Sequence, residues 1–176
     1  ASRDSLTSVL NRGAFTALVE AYLADLRRKP RFGGGALLVI DADNFKAIND
    51  NYGHDRGDDA LRLIASSIAG TLRSTDLVGR IGGEEFGVFL PDAGHTHAAA
   101  IAERIRFVIN TAEFIAGGDN RRLSVSVGGA VFDRPLAFSE LFRIADQQLY
   151  AAKQGGRNRS SVAAAVDDSR MPAAAA

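Results

Sequence analysis

The sequence predicts an α/β (α+β) domain of the ferredoxin-like, split βαβ type. Two observations carry that expectation. One is a continuous apolar run of strand length, "ALLVI" (36–40), leading into Asp41. The other is a pair of strand-like runs, "DLVGRI" (76–81) and "FGVFL" (86–90), closed across Gly82-Gly83-Glu84-Glu85. A third strand-like run and stretches of helical periodicity then fall in the order helix, strand–helix–strand–strand–helix–strand, helix.

Each element has its own reason. Phe15, Leu18, Val19, Tyr22 and Leu26 recur at helical spacing, and Pro30 with Gly33–Gly35 supplies the stop. An unbroken apolar run such as 36–40 suits a central strand covered on both faces. A short helical turn is expected over 43–50. "GHDRGDD" then offers turn glycines and acidic N-terminal residues to a helix with Leu61, Ile64, Ile68 and Leu72 on one face. The four connecting residues at 82–85, two of them glycine, are hairpin chemistry, and Pro91 stops the second strand. Ile101, Ile105, Val108 and Ala112 mark the next helix. "LSVSVGGAVF" (123–132) alternates apolar with small residues, as a half-buried strand does. Leu141, Phe142, Ala145 and Leu149 mark the last helix, ended by Gly155-Gly156. One domain is expected over 1–160, with 161–176, "SVAAAVDDSRMPAAAA", as a disordered tail.

Composition narrows the function classes. The chain has 176 residues, enough to bury a core as one domain. Lys+Arg and Asp+Glu both number 21, so no global field favours nucleic acid or an anionic membrane. With no cysteine there are no disulfides and no thiolate metal sites, which fits a cytoplasmic setting. No apolar run approaches the ~20 residues of a membrane span. His95, His97 and the run Arg3, Arg27, Arg28, Lys29 read as surface.

In a split βαβ sheet the first strand and the hairpin are neighbours, which brings Asp41 and Asp43 close to Glu84 and Glu85. Carboxylates converging without Cys or a His cluster suit a hard cation with oxygen ligands, most simply Mg²⁺, sharing its shell with nucleotide phosphates. Taken alone, "GGEE" is also what a solvated turn looks like.

Four stretches decide between these. "DSLTSVLNR" (4–12), "DADNFKAINDNYGHDRGDD" (41–59), "RSTDLVGRIGGEEF" (73–86) and "ADQQLYAAKQGGRNR" (145–159) together resemble the GGDEF family of diguanylate cyclases, in the right order and over nearly the whole chain. The resemblance implies a palm-type fold, similar to class III nucleotide cyclases and polymerases. It implies condensation of two GTP molecules into cyclic di-GMP with release of two pyrophosphates, by two domains facing each other antiparallel. It also implies a homodimer, and a sensor or dimerisation region beyond this stretch of chain.

Residue by residue, the resemblance makes Asp41 and Glu84, with the backbone carbonyl of Ala42, the holders of two Mg²⁺ (Mn²⁺ as a substitute). Asn49 and Asp58 would read guanine; a carboxylate accepts from both N1–H and the 2-amino group, an arrangement adenine lacks. Lys46, Lys153 and Arg157 would neutralise phosphate. Gly83 would let the backbone approach the ribose. Glu85 stands beside the metal site and orients a hydroxyl. Phe45 and His54 belong to the same substrate-binding stretch, Phe45 chiefly as a core anchor and His54 as a brace of the loop. Arg73 and Asp76 of "RSTD" match the family's product-inhibition site, with Arg104 as a secondary contact. Two features depart from the family pattern. Glu84 stands where Asp is common, and Ser8, Val9 and Leu10 replace Gly, Leu and Pro in the opening motif. A non-catalytic GTP or cyclic di-GMP effector, or a cyclase of altered base preference, would share the fold; intact Asp41, Glu84, Asn49 and Asp58 argue against both.

Overall fold

The computed structural model describes residues 1–28 and 34–165. The expected stop at Pro30 and Gly33, Lys29 of the charge run, and tail residues 166–176 lie outside the described residues. The elements in order are α1 (Arg12–Arg28), β1 (Gly35–Ala42), α2 (Phe45–Tyr52), α3 (His54–Thr71), β2 (Leu77–Arg80), β3 (Glu85–Pro91), α4 (His95–Thr111), β4 (Ile115–Ala116), β5 (Asp119–Asn120), β6 (Val125–Phe132), α5 (Phe138–Gln154) and β7 (Ser160–Ala164).

The five-stranded sheet runs β2-β3-β1-β6-β7, and β4 with β5 forms a separate two-stranded ribbon. The β2-β3-β1-β6 part is the split βαβ arrangement expected, with β1 central and antiparallel to both β3 and β6. All eight residues of β1 are buried, which is why its sequence is an unbroken apolar run up to Asp41. Side chains alternate between two cores. Leu38 and Ile40 pack under α3 and α4, together with Ile64, Ile68 and Ile105. Leu37 and Val39 pack under α1 and α5, together with Phe15, Phe89 and Leu149.

Two close approaches set the helices on the sheet. Gly79 and Gly87 pair across β2 and β3, and Phe15 of α1 lies over both. A Cβ at Gly79 would stand 2.6 Å from that of Phe15. At Gly128 of β6 a Cβ would stand 2.1 Å from the backbone nitrogen of Leu149, so the glycine lets α5 lie directly on the sheet.

Three expectations change. The tail does not begin at 161: Ser160–Ala164 form β7, paired parallel to β6 at the edge of the sheet and in contact with both α4 and α5. Its small residues carry too little apolar signal to read as a strand. The buried face of α4 is Ala98, Ala102, Ile105 and Ile109, one position round from the stripe expected, because alanines take the closest approach. On α1, Leu23 is buried and Leu18 is exposed.

Candidate active site

The sheet register assembles the carboxylates. Asp41, at the end of β1, lies opposite Glu85 on β3 and Ser126 on β6. By alternation it shares the α5 side of the sheet with Leu37 and Val39. The next residue, Ala42, donates its N–H to the Glu84 carbonyl at 3.1 Å, which draws the hairpin tip onto β1. Asp41 is only 8% exposed, and its Oδ2 receives the Lys153 ammonium from the last turn of α5. Its Oδ1 is buried without a hydrogen-bond partner among the described residues.

The electrostatics follow from that crowding. Burial and the Asp41 charge push the Glu84 carboxyl above its ordinary range. Burial does the same to Glu85, followed by repulsion from Asp41 and from Asp146 of α5. Burial by itself would lower the Lys153 ammonium. The hydrogen bond that Lys153 donates to Asp41 and the charges of Asp41, Glu85 and Glu84 outweigh it and hold Lys153 above its usual value. Glu85 also forms a wall of a cleft of about 380 Å³ with Arg12, Ile81 and Phe138. Among the described residues, no group of three or more His, Cys, Asp and Glu side chains is gathered to hold a metal ion. A hard cation here would draw on two carboxylates and fill its shell from elsewhere, a habit of Mg²⁺.

Asp43 does something else. It is 7% exposed and turned away from the hairpin, accepting from Ser124 Oγ at 2.7 Å, Ser126 Oγ at 2.6 Å and the Asn158 N–H at 3.0 Å. It is a brace between β1, β6 and the turn after α5. The small polar residues of "LSVSV" were the signal: they face a carboxylate, not solvent.

The hairpin tip is closed by Arg80. Its Nη2 and Nε donate to the Gly83 carbonyl at 2.7 and 3.1 Å, and Nη1 lies 3.3 Å from Asp4. Asp4 in turn accepts from Thr7 Oγ1 at 2.6 Å and the Thr7 N–H at 2.9 Å. The opening motif thus anchors the signature turn, and neither Arg80 nor this pairing was singled out from sequence. Gly82 and Gly83 are not in the left-handed region, and a Cβ at Gly83 would meet nothing within 4 Å. The fold has no need of a glycine at Gly83.

Asn49 of α2 lies against Gly57 of α3, where an added Cβ would stand 1.8 Å from Asn49 Oδ1. That oxygen is buried with no hydrogen-bond partner among the described residues. Asp58, the residue after Gly57, is half-buried. Phe45 packs into the α3/α4 core, as an anchor does. Lys46 is exposed and paired with Asp50 one turn along at 2.7 Å. The His54 side chain, at the exposed start of α3, makes no hydrogen bond among the described residues, so the loop brace expected of it is not seen. Arg157, in the turn after α5, is exposed.

Arg73–Asp76 forms a tight turn between α3 and β2. The Arg73 N–H donates to Asp76 Oδ2 at 2.8 Å, and the Asp76 N–H donates to the Arg73 carbonyl at 3.0 Å. The Arg73 side chain is exposed, as is Arg104 on α4. No helix among the described residues is long and apolar enough to cross a membrane.

A split βαβ sheet with carboxylates at the open end of its central strand defines a palm-like cyclase domain. The profile described as "Diguanylate cyclase, GGDEF domain" matches residues 1–159, and the chain belongs to that family. Among curated relatives it is 41% identical to the uncharacterized protein YhcK of Bacillus subtilis, over 89% of this chain and 44% of that protein. It is 40% identical to the diguanylate cyclase DgcP of Pseudomonas aeruginosa, over 91% of this chain and 24% of that protein. The chain therefore spans less than half the length of these relatives. Among solved structures, the GGDEF domain of DgcB from Caulobacter crescentus, in complex with c-di-GMP, superimposes with a TM-score of 0.86 at 31% identity, over 92% of this chain and 95% of that one. The active GGEEF domain of a diguanylate cyclase from Vibrio cholerae gives 0.79 at 32% identity, over 86% and 96%.

Proposed function

We propose that this domain condenses two GTP molecules into cyclic di-GMP, releasing two pyrophosphates, as one half of an antiparallel homodimer. The observation that carries the reading is Asp41. A buried carboxylate faces two glutamates across a register fixed by the sheet, with one oxygen unsatisfied and the other on Lys153. Such a crowd of like charge is unfavourable unless something positive completes it. The residues fit two Mg²⁺, or Mn²⁺ in their place, held by Asp41, Glu84 and the Ala42 carbonyl, which would offset charge on the reacting phosphates.

The chain's own groups divide the remaining work. Lys153 in the last turn of α5 and Arg157 in the turn that follows would take phosphate, and Lys153 is already drawn to the acidic cluster. Lys46 joins them from α2 on exchanging its exposed Asp50 pair for phosphate. Asn49, with its orphaned oxygen, and Asp58 read the guanine edge, beside Phe45 and His54. Gly83 is reserved for the ribose: neither its backbone angle nor its protein neighbours explain a glycine there. Glu85, its carboxyl raised by burial, stands beside Asp41 to orient the attacking hydroxyl. Glu84 in place of Asp is compatible with turnover, given the active GGEEF domain from Vibrio cholerae. Product would bind at Arg73 and Asp76 with Arg104, away from the carboxylates, and inhibit by holding two active sites apart. The complex of the DgcB domain with c-di-GMP supports product binding on this fold.

The test is incubation with GTP and Mg²⁺ at high protein concentration, with chromatographic separation of the nucleotides. Asp41→Asn and Glu84→Gln should keep the parent's circular dichroism and lose turnover by orders of magnitude. Near-parental activity in both variants would sink the metal assignment.

A further inference from the structure

Three consecutive residues after α5 occupy the left-handed region: Gly156 at φ 120°, Arg157 at φ 64° and Asn158 at φ 46°. Glycine does so freely, whereas an arginine followed by an asparagine stays there only when neighbours hold it. Three elements supply the hold. From α5, the Ala152 carbonyl accepts the Arg157 N–H at 3.1 Å. From the residue that follows β1, Asp43 Oδ2 accepts the Asn158 N–H at 3.0 Å, with Asp43 itself fixed by Ser124 and Ser126. From α4, Arg106 Nη1 donates to Asn158 Oδ1 at 3.0 Å.

Arg106 is built for that contact. Its Nε donates to both Glu103 oxygens, at 2.9 and 3.0 Å, and its Nη2 also meets that carboxylate. Only 18% of the Arg106 side chain is exposed. An Arg–carboxylate pair at this helical spacing contributes little to stability when both partners are solvated. Here it aligns a planar fork whose remaining edge leaves the helix for a residue far along the chain. Asn158 is one of the few non-glycine residues that tolerates the left-handed region, and its side-chain oxygen is what the fork reaches.

We propose that Arg106 is a positioning residue. Acting through Asn158, it holds the 156–158 turn left-handed and so sets the direction in which Arg157 leaves the chain toward phosphate. The inference rests on the reading of Arg157 given under Proposed function. Asp43 is the second support of the same turn, which explains a buried carboxylate beside the site that faces away from the hairpin.

Two measurements decide it. Backbone hydrogen exchange, followed by mass spectrometry without nucleotide, compares the parent with Arg106→Met, which keeps the stem and removes every donor. Exchange over 155–160 should quicken about three- to tenfold, the factor for one net hydrogen bond, with peptides of β1 unchanged. Asn158→Asp should keep parental protection, since its carboxylate still accepts from Arg106 and tolerates the same backbone. In steady-state kinetics Arg106→Met should raise KM for GTP by a similar factor, with kcat less affected. In an Arg157→Ala background the same change should do nothing further to KM. Unchanged exchange over 155–160, or faster exchange spread over the core strands as well, overturns the brace. Additive losses in the Arg106→Met/Arg157→Ala pair overturn the positioning role. A parent that makes no cyclic di-GMP defeats the proposed function instead, and the exchange comparison still decides the brace.

Discussion

Gly57→Ala isolates guanine recognition from folding. The added Cβ would stand 1.8 Å from Asn49 Oδ1, 2.9 Å from Asn49 Cγ and 3.3 Å from Phe45 Cζ. The nearest atoms belong to the end of one flexible side chain, so the amide swings out and the backbone stays. Overpacking costs roughly 1–3 kcal/mol where nothing can move, and less where an amide can turn away. Alanine inside a helix returns up to about 1 kcal/mol relative to glycine. The thermal midpoint should therefore change little. Binding should not be spared, because the displaced oxygen is the one we propose reads the base. Losing a contact to a buried polar group costs roughly 1–3 kcal/mol, or about five- to 150-fold in KM for GTP. Steady-state kinetics beside a thermal melt checks this, with Asn49→Ala as the reference. In that background Gly57→Ala should add nothing to KM. An unchanged KM in Gly57→Ala, or a further loss in the double variant, would refute the reasoning.

Three further outcomes are expected. Both Glu84 and Glu85 have carboxyls raised above the ordinary 4.5, so the native state binds more protons than the unfolded chain between that value and the raised ones. Unfolding free energy without metal should then fall as pH rises through that window, and Glu85→Gln should flatten the dependence of the melting temperature on pH; a parent more stable at neutral pH than near pH 5 would contradict it. Replacing Arg80 with Gln removes two bonds to the Gly83 carbonyl and the ion pair with Asp4, for a loss of roughly 1–3 kcal/mol, and Asp4→Asn in the same chain should add less than it does alone. Full additivity in denaturant melts would show the two sites to be independent. Arg73→Ala should keep the parent's initial rate while its progress curves lose their early plateau, and inhibition of the parent by added cyclic di-GMP should be non-competitive with GTP; equal inhibition of parent and variant would remove the site from regulation.

Sequence reading reached the sheet because β1 and the hairpin carry strong apolar runs, and it reached Asp41, Glu84 and Glu85 because strand order alone makes them neighbours. It did not reach β7, whose "SSVAA" packs by being small and has no periodic signal. It set Asp43 beside Asp41, yet two serines on β6 and a backbone N–H at Asn158 claim its oxygens. Those are contacts between residues more than 80 positions apart. Arg80 and Arg106 escaped for the same reason: an arginine's partner depends on where its long side chain ends, and local pattern carries none of that. Gly82 and Gly83 marked the hairpin by their type, and the turn closes with neither of them in the left-handed region.

The pairing of β1 with its neighbours has one more consequence, for quality control during folding. Asp41 lies opposite Glu85 and Ser126, while Ile40 and Ala42, one position either side, are sealed in the core beneath α3 and α4. A misfolded chain with β1 slipped by one residue would turn every side chain over and drive Asp41 into that hydrocarbon layer. An unpaired carboxylate there costs several kcal/mol, a large share of the ~5–15 kcal/mol that holds such a domain together. The carboxylate proposed to hold the metals thus acts also as a proofreading mark on strand alignment. The slipped register is thereby set well above the native one in free energy.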